Sequence, residues 1–247
     1  MFSEPLRIHM WSGPRNISTA TMYAFRQRSD TLVVDEPLYA SYLAASGADH
    51  PVAAEVIASQ ERDPQKVIAR QFRGPAAKPV VFFKQMTHHL LDLDRSFLSE
   101  GRHFLLIRDP RFMLPSLGRV LASPRLEDTG LALHLDLYRT LEDMGQEPAV
   151  VDSRLLQNQP EAVLRLLCRH LDIPFEPAML SWPAGPKPED GVWAPHWYAA
   201  AHKTTGFNPW AAPAEPFPDH LNDLLQECMP YYTALRKVAL EPQENHA

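Results

Sequence analysis

Apolar residues gather along this chain into five short runs: Ile8 to Trp11, Thr31 to Val34, Val80 to Phe83, Phe104 to Ile107 and Ala149 to Val151. None alternates with polar positions and helical stretches lie between them, the pattern of strands buried on both faces of a parallel sheet. Helices are predicted over Ile17 to Arg28, Pro110 to Leu121, Leu131 to Met144 and Pro160 to Leu171, the last opened by a proline suited to a first helical turn. Val52 to Arg73 reads as one or two helices broken at Asp63-Pro64, and Asp219 to Ala239 as a last helix that docks the C-terminus, with Glu241 to Ala247 a frayed tail. The alternation predicts an α/β fold of three layers, α/β/α, with a central parallel sheet of about five strands in one domain, residues 1–247.

The texture changes after Pro174. Residues 174–218 are rich in proline and hold Trp182, Trp193, Trp197 and Trp210 with little periodicity. Aromatic residues at that density bury large areas, so the expectation is an ordered irregular segment packed across the open end of the sheet, with a remote face as the alternative.

Composition narrows the partners. The chain has 247 residues, 45% hydrophobic and 22% charged, with a formal net charge of -6 and no long Lys/Arg run. A nucleic-acid surface is therefore not expected, and a small ligand is. Cys168 and Cys228 are the two cysteines and stand far apart, which suggests neither a disulfide framework nor a cysteine metal site and fits a reducing compartment. Met1 to Pro5 has no basic or apolar leader character, and no eighteen apolar residues run together, so the expectation is a cytoplasmic protein without a membrane partner.

Ligands of an open parallel sheet bind just beyond the carboxyl ends of its strands. The residues there are polar in every case: Ser12 to Thr19, Asp35-Glu36-Pro37, Lys84 to His89, Arg108-Asp109-Pro110 and Asp152-Ser153-Arg154. The first, Ser12-Gly13-Pro14-Arg15-Asn16-Ile17-Ser18-Thr19, is a small-residue loop between a strand and a helix. Unpaired N–H groups and the helix dipole favour an anion at such a place. The competing reading is an ordinary connection capped by Asn16 or Ser18.

Leu105 to Leu117 adds a second element, in which Arg108 leaves a strand and Ser116 follows eight residues later on a helix. Together with the first loop this resembles the nucleotide-dependent sulfotransferases, whose donor is 3′-phosphoadenosine 5′-phosphosulfate (PAPS). In that family a Pro-Lys/Arg-Ser-Gly-Thr-Thr loop holds the 5′-phosphosulfate, and an Arg with a Ser eight positions on holds the 3′-phosphate. Here Pro14-Arg15-Asn16-Ile17-Ser18-Thr19 takes the first place and Arg108 with Ser116 the second. The likeness continues through Val150-Val151-Asp152-Ser153 to Leu171-Asp172-Ile173-Pro174. It implies a P-loop-like fold, a sulfuryl transfer to a small-molecule hydroxyl or amine, the nucleotide bisphosphate PAP as product, and no metal. Asn16-Ile17 departs from the usual Ser-Gly, and Arg15 keeps the charge of the usual Lys while adding a fork for two oxygens.

A kinase of the same fold requires Gly-Lys before the hydroxyl residue of its phosphate loop, where this chain has Asn16-Ile17. A non-catalytic nucleotide-binding protein is the other alternative. For the transfer, the resemblance gives Arg15 and Lys84 the charge on the leaving nucleotide. It offers Glu36, or His88 or His89, as the base that takes the acceptor's proton. Asp35-Glu36 could instead cap a turn or pair with Arg15, and the histidines could face solvent. In the Trp-rich segment, Lys203-Thr204-Thr205-Gly206-Phe207 stands where the family places a loop on the 3′-phosphate and adenine, which makes Thr205 a candidate. Trp193, His196, Trp197 and Tyr198 are candidates for an acceptor wall or for core packing. Oligomeric state and acceptor identity are not legible.

Overall fold

All five apolar runs are strands. The computed structural model, which describes residues 1–212 and 214–242, holds β1 (Leu6–Ser12), β2 (Thr31–Asp35), β3 (Val80–Met86), β4 (Arg102–Ile107) and β5 (Ala149–Asp152). Every pairing is parallel and the order is β2-β3-β1-β4-β5, so β1 is central and its C-terminal end lies between those of β3 and β4. β3 runs past Phe83 to Met86, which draws Lys84 into the strand.

Alternate residues of each strand feed two separate cores. Trp11, Val81, Phe83, Leu105, Ile107 and Val150 pack on one side, Ile8, Met10, Phe82, Phe104, Leu106 and Val151 on the other. Both faces need apolar side chains, so the runs are continuous. Helix α1 (Ser18–Arg26) follows β1, and α2 (Tyr39–Ser46), α3 (Ala53–Ser59) and α4 (Pro64–Val67) fill the crossover from β2 to β3. α4 passes into a π-turn at Ile68–Phe72. After β4 come α5 (Pro110–Gly118), α6 (Leu126–Thr129) and α7 (Leu131–Asp143). After β5 come α8 (Ser153–Asn158) and α9 (Pro160–His170), then α10 (Ala194–Trp197) and α11 (Asn222–Arg236). α1 and α9 cover one face of the sheet and α5, α7 and α11 the other, the expected three layers.

Three expectations change. α2 was not anticipated, although Tyr39, Leu43 and Ala40 bury one side of it in a third cluster with Trp193, Ala194 and Tyr198. α5 stops at Gly118, and the last helix is preceded by a 3₁₀ turn at Asp219–Leu221. The tail expected beyond Glu241 lies, from residue 243 on, outside the described residues. The Trp-rich segment divides: Trp182 packs on the face that α1 and α9 cover, and Trp193 to Tyr198 crosses to the strand ends.

Candidate active site

A cavity of about 1080 Å³ opens at the carboxyl ends of β1, β3 and β4. Its wall includes Gly13 to Ala20, Glu36, Lys84, His88, His89 and Arg108, together with Trp197, Tyr198, Thr204 and Gly206 from the C-terminal segment. Ser116 and Thr205 are not part of that wall.

Capping by Asn16 or Ser18 does not occur. Ile17 is the cap residue of α1, with φ 57° and no side-chain hydrogen bond, and the Asn16 side chain is buried, its Nδ2 donating to the Leu106 carbonyl at 2.7 Å. That bond fastens the loop to β4. Arg15 has φ 62°, so two residues bearing side chains, one β-branched, occupy the left-handed region. This costs on the order of 1–3 kcal/mol each and is typical of functional loops. Among the described residues, no protein group accepts from the N–H groups of Arg15 to Ala20. Left-handed turns at a helix start turn such groups into an anion-binding concavity. Gly13 has its own reason: a Cβ there would lie 2.7 Å from the Thr129 carbonyl oxygen.

Side chains join the separate elements. Arg15 Nε donates to Ser116 Oγ at 2.9 Å, and Arg108 Nη1 donates to the Arg15 carbonyl at 2.5 Å. Burial, then the neighbouring Arg15 charge, lowers the Arg108 pKa. Two arginines in one cavity wall, one braced against the other's backbone, suit a multiply charged anion.

Glu36 pairs with Lys84, not Arg15. Lys84 Nζ donates to Asp35 Oδ1 at 2.8 Å, to Glu36 Oε1 and to the Tyr198 hydroxyl at 2.7 Å. These three bonds use all three ammonium protons, so Lys84 as placed has none free for a leaving nucleotide. Burial alone would depress its pKa, but the two carboxylates outweigh burial and leave it raised. Burial likewise raises Asp35 to about 6 against the pull of Lys84. The Tyr198 hydroxyl donates to Asp35 Oδ2 at 2.8 Å and accepts from Trp193 Nε1 at 2.9 Å. Glu36 has φ 45°, and its backbone is pinned by Glu36 N to the Lys84 carbonyl and Gln60 Nε2 to the Glu36 carbonyl.

The histidines do not face solvent. His89 is buried between the Tyr39 and Tyr42 rings, stacked at 4.8 and 4.9 Å, with Nε2 4.0 Å from Glu36 Oε2. Burial first, then His88, lowers its pKa well below the usual imidazole value. His88 lines the cavity beside Tyr42, and burial brings it down to about 4, so both rings are neutral at pH 7. Thr205 is exposed; its carbonyl accepts from Trp182 N, while Thr204 and Gly206 reach the cavity.

Tyr39 and Tyr42 were missed as site residues, and Tyr198, a candidate for an acceptor wall or core packing, bonds Lys84 and Asp35 and lines the cavity. A Tyr-x-x-Tyr-Leu spacing after Glu36-Pro37 signalled α2, but nothing local signals that Tyr198 meets Lys84 from more than a hundred residues away.

The strand order, the helix-start loop after the central strand and the paired arginines define a parallel α/β fold with a candidate anion site. The sulfotransferase-domain family profile matches residues 6–239, and the chain belongs to that family. Among solved structures it is similar to the sulfotransferase domain of the Synechococcus PCC 7002 olefin synthase, with a TM-score of 0.53 and 18% identity over 91% of this chain and 95% of that one. It is also similar to the sulfotransferase of Alicyclobacillus acidocaldarius, with a TM-score of 0.51 and 12% identity over 95% of each chain. Both likenesses concern the fold. Two Arabidopsis thaliana proteins, branched-chain-amino-acid aminotransferase-like proteins 2 and 1, are each 45% identical to it over 93% and 95% of this chain. The match covers 41% and 42% of their lengths, so their names describe much longer chains. Among the described residues no helix is long and apolar enough to cross a membrane, and no three or more His, Cys, Asp or Glu are grouped to hold a metal ion.

Proposed function

We propose that this domain transfers a sulfuryl group from 3′-phosphoadenosine 5′-phosphosulfate to a small-molecule acceptor. The observation that carries the reading is the hydrogen bond from Arg15 to Ser116, which unites the two motifs at the N–H concavity before α1. The residues fit a donor with phosphate at two places. The N–H groups of residues 15 to 20 suit the phosphosulfate, and Arg15 with Arg108 suits the 3′-phosphate, with Ser116 steering Arg15.

In this reading the donor supplies an activated sulfur and a nucleotide leaving group. The dipole and N–H groups of α1 stabilise the charge that develops on the leaving phosphate. Glu36 lines the cavity with Oε1 held by Lys84 and, among the described residues, no hydrogen-bond partner on Oε2, so Glu36 is the base that takes the acceptor's proton. Lys84 orients this carboxylate, and neutral His88 completes the wall.

Calorimetry tests the donor assignment. The domain should bind PAP and bind Mg·ATP at least tenfold more weakly, and its turnover of a PAPS-loaded sample should yield a sulfated acceptor and PAP. Tight Mg·ATP binding without PAP binding would refute it in favour of a kinase. PAP binding with no turnover across an acceptor panel would favour a non-catalytic nucleotide-binding protein.

A further inference from the structure

Lys84 has more protons than the strand ends alone accept. The sheet register sets Lys84 on β3 opposite Asp35 on β2, and Glu36 follows Asp35, so two neighbouring strands bring one ammonium to two carboxylates. Asp35 Oδ1 and Glu36 Oε1 take two of its three protons. The third goes to the Tyr198 hydroxyl oxygen at 2.7 Å, 114 residues further along the chain.

That hydroxyl is saturated. It accepts from Lys84 and from Trp193 Nε1 and gives its own proton to Asp35 Oδ2 at 2.8 Å, with Glu36 Oε1 farther off at 3.3 Å. Both Asp35 oxygens are therefore engaged. Glu36 is engaged at Oε1, and among the described residues Oε2 has no hydrogen-bond partner. With all three protons placed, the Lys84 ammonium has none to turn towards Oε2 or into the cavity. Arg15 and Arg108 line the same cavity, so it keeps positive charge without Lys84.

Tyr198 arrives on a closed segment. Ser181 and Gly206 pair as an antiparallel bridge, and Gly185 N donates to the His202 carbonyl at 2.7 Å. Asp190 accepts from the Tyr23 hydroxyl of α1 at 2.8 Å. Residues 181–206 thus form a strap, joined at its base and held to the first helix, that carries Trp197, Tyr198 and Thr204 to the cavity wall. A phenyl ring at 198 would fill the same space. The hydroxyl is what reaches Lys84 and Asp35.

We propose that Tyr198 is a positioning residue for the base: its hydroxyl occupies the third proton of Lys84, so that Lys84 holds Glu36 by one oxygen and leaves the other to the acceptor. The inference rests on the sulfuryl-transfer reading above and makes the strap part of the catalytic centre. Without the hydroxyl, one ammonium proton and Asp35 Oδ2 lose their partners together, and Lys84 is released to take both oxygens of Glu36 or to swing into the cavity. A reacting group misplaced by about 1 Å loses on the order of 10²-fold in rate.

The test compares wild type with Tyr198→Phe and Trp193→Phe. In proton–nitrogen NMR spectra of the ligand-free protein at neutral pH, the Lys84 ammonium, identified by its absence in Lys84→Arg, should exchange slowly with water. Tyr198→Phe should speed that exchange tenfold or more. Trp193→Phe, which loosens the same packing but leaves the hydroxyl on Lys84, should not. With PAPS and whichever of 2-naphthol, 2-phenylethanol and 2-phenylethylamine the wild type uses best, Tyr198→Phe should lower kcat tenfold or more, with acceptor KM and PAP affinity within twofold. The inference is overturned by fast Lys84 exchange in wild type, by equal exchange in wild type and Tyr198→Phe, by equal effects of the two variants, or by a rate loss carried in KM alone. PAP binding without turnover of any of the three compounds overturns the transfer reading instead, while the spectra still decide whether Tyr198 holds Lys84, so the two failures are distinct.

Discussion

Arg108 Nη1 lies 2.5 Å from the Arg15 carbonyl oxygen, so the residue just past β4 holds the loop that follows β1. This bond makes Arg108 a brace for the loop as well as a positive charge in the wall.

Replacing Arg108 by Ala removes charge-assisted hydrogen bonds worth about 1.5–3 kcal/mol each. PAP affinity should fall tenfold or more by calorimetry. Unchanged affinity would mean that Arg108 touches no phosphate.

Ser116→Ala releases Arg15 without removing a charge. PAP should bind several-fold more weakly, whereas adenosine 5′-phosphate, which lacks the 3′-phosphate, should bind as before. An equal loss for both nucleotides would place Arg15 on the other phosphate.

Glu36→Gln should lower kcat by about 10² to 10⁴ while PAP binding persists, the range for a lost general base. Full activity would move that role to His88.

Lys84→Met strands Asp35 and Glu36 as buried carboxylates. Breaking a buried ion cluster in this way costs about 3–5 kcal/mol, or on the order of 10 °C in Tm for a chain of this size. A Tm within a degree or two of wild type would show that the cluster is dispensable for stability.

Acid should destabilise the fold below neutral pH. His103 is buried with Nδ1 accepting from Trp11 and Nε2–H facing the Glu100 carbonyl, and burial brings it to about 4. Its unfolded value is near 6.5, so the unfolded chain binds the extra proton first as pH falls. Stability is complete above about 6.5 and declines towards 4, by up to roughly 3 kcal/mol for this residue. His9, His89 and His134 are lowered in the same direction by burial. Asp35, raised to about 6, acts oppositely but alone. Tm should therefore drop between pH 7 and 5, and a flat profile would contradict the burial of these rings.

Sequence by itself determined the sheet, because side chains buried on both faces of a strand must be apolar and the five runs write this out locally. It also marked the polar strand ends, and with them Arg15, Glu36, Lys84 and Arg108, because residues leaving a parallel sheet at its carboxyl end share one rim. Tertiary structure alone decided how those residues pair. Lys84 is bound by two carboxylates and Tyr198, Arg15 turns to Ser116, and His89 is enclosed by Tyr39 and Tyr42 of α2. Such pairings depend on distances between elements far apart in the chain, and charge and hydrogen-bond partners are chosen by those distances, which local periodicity does not encode.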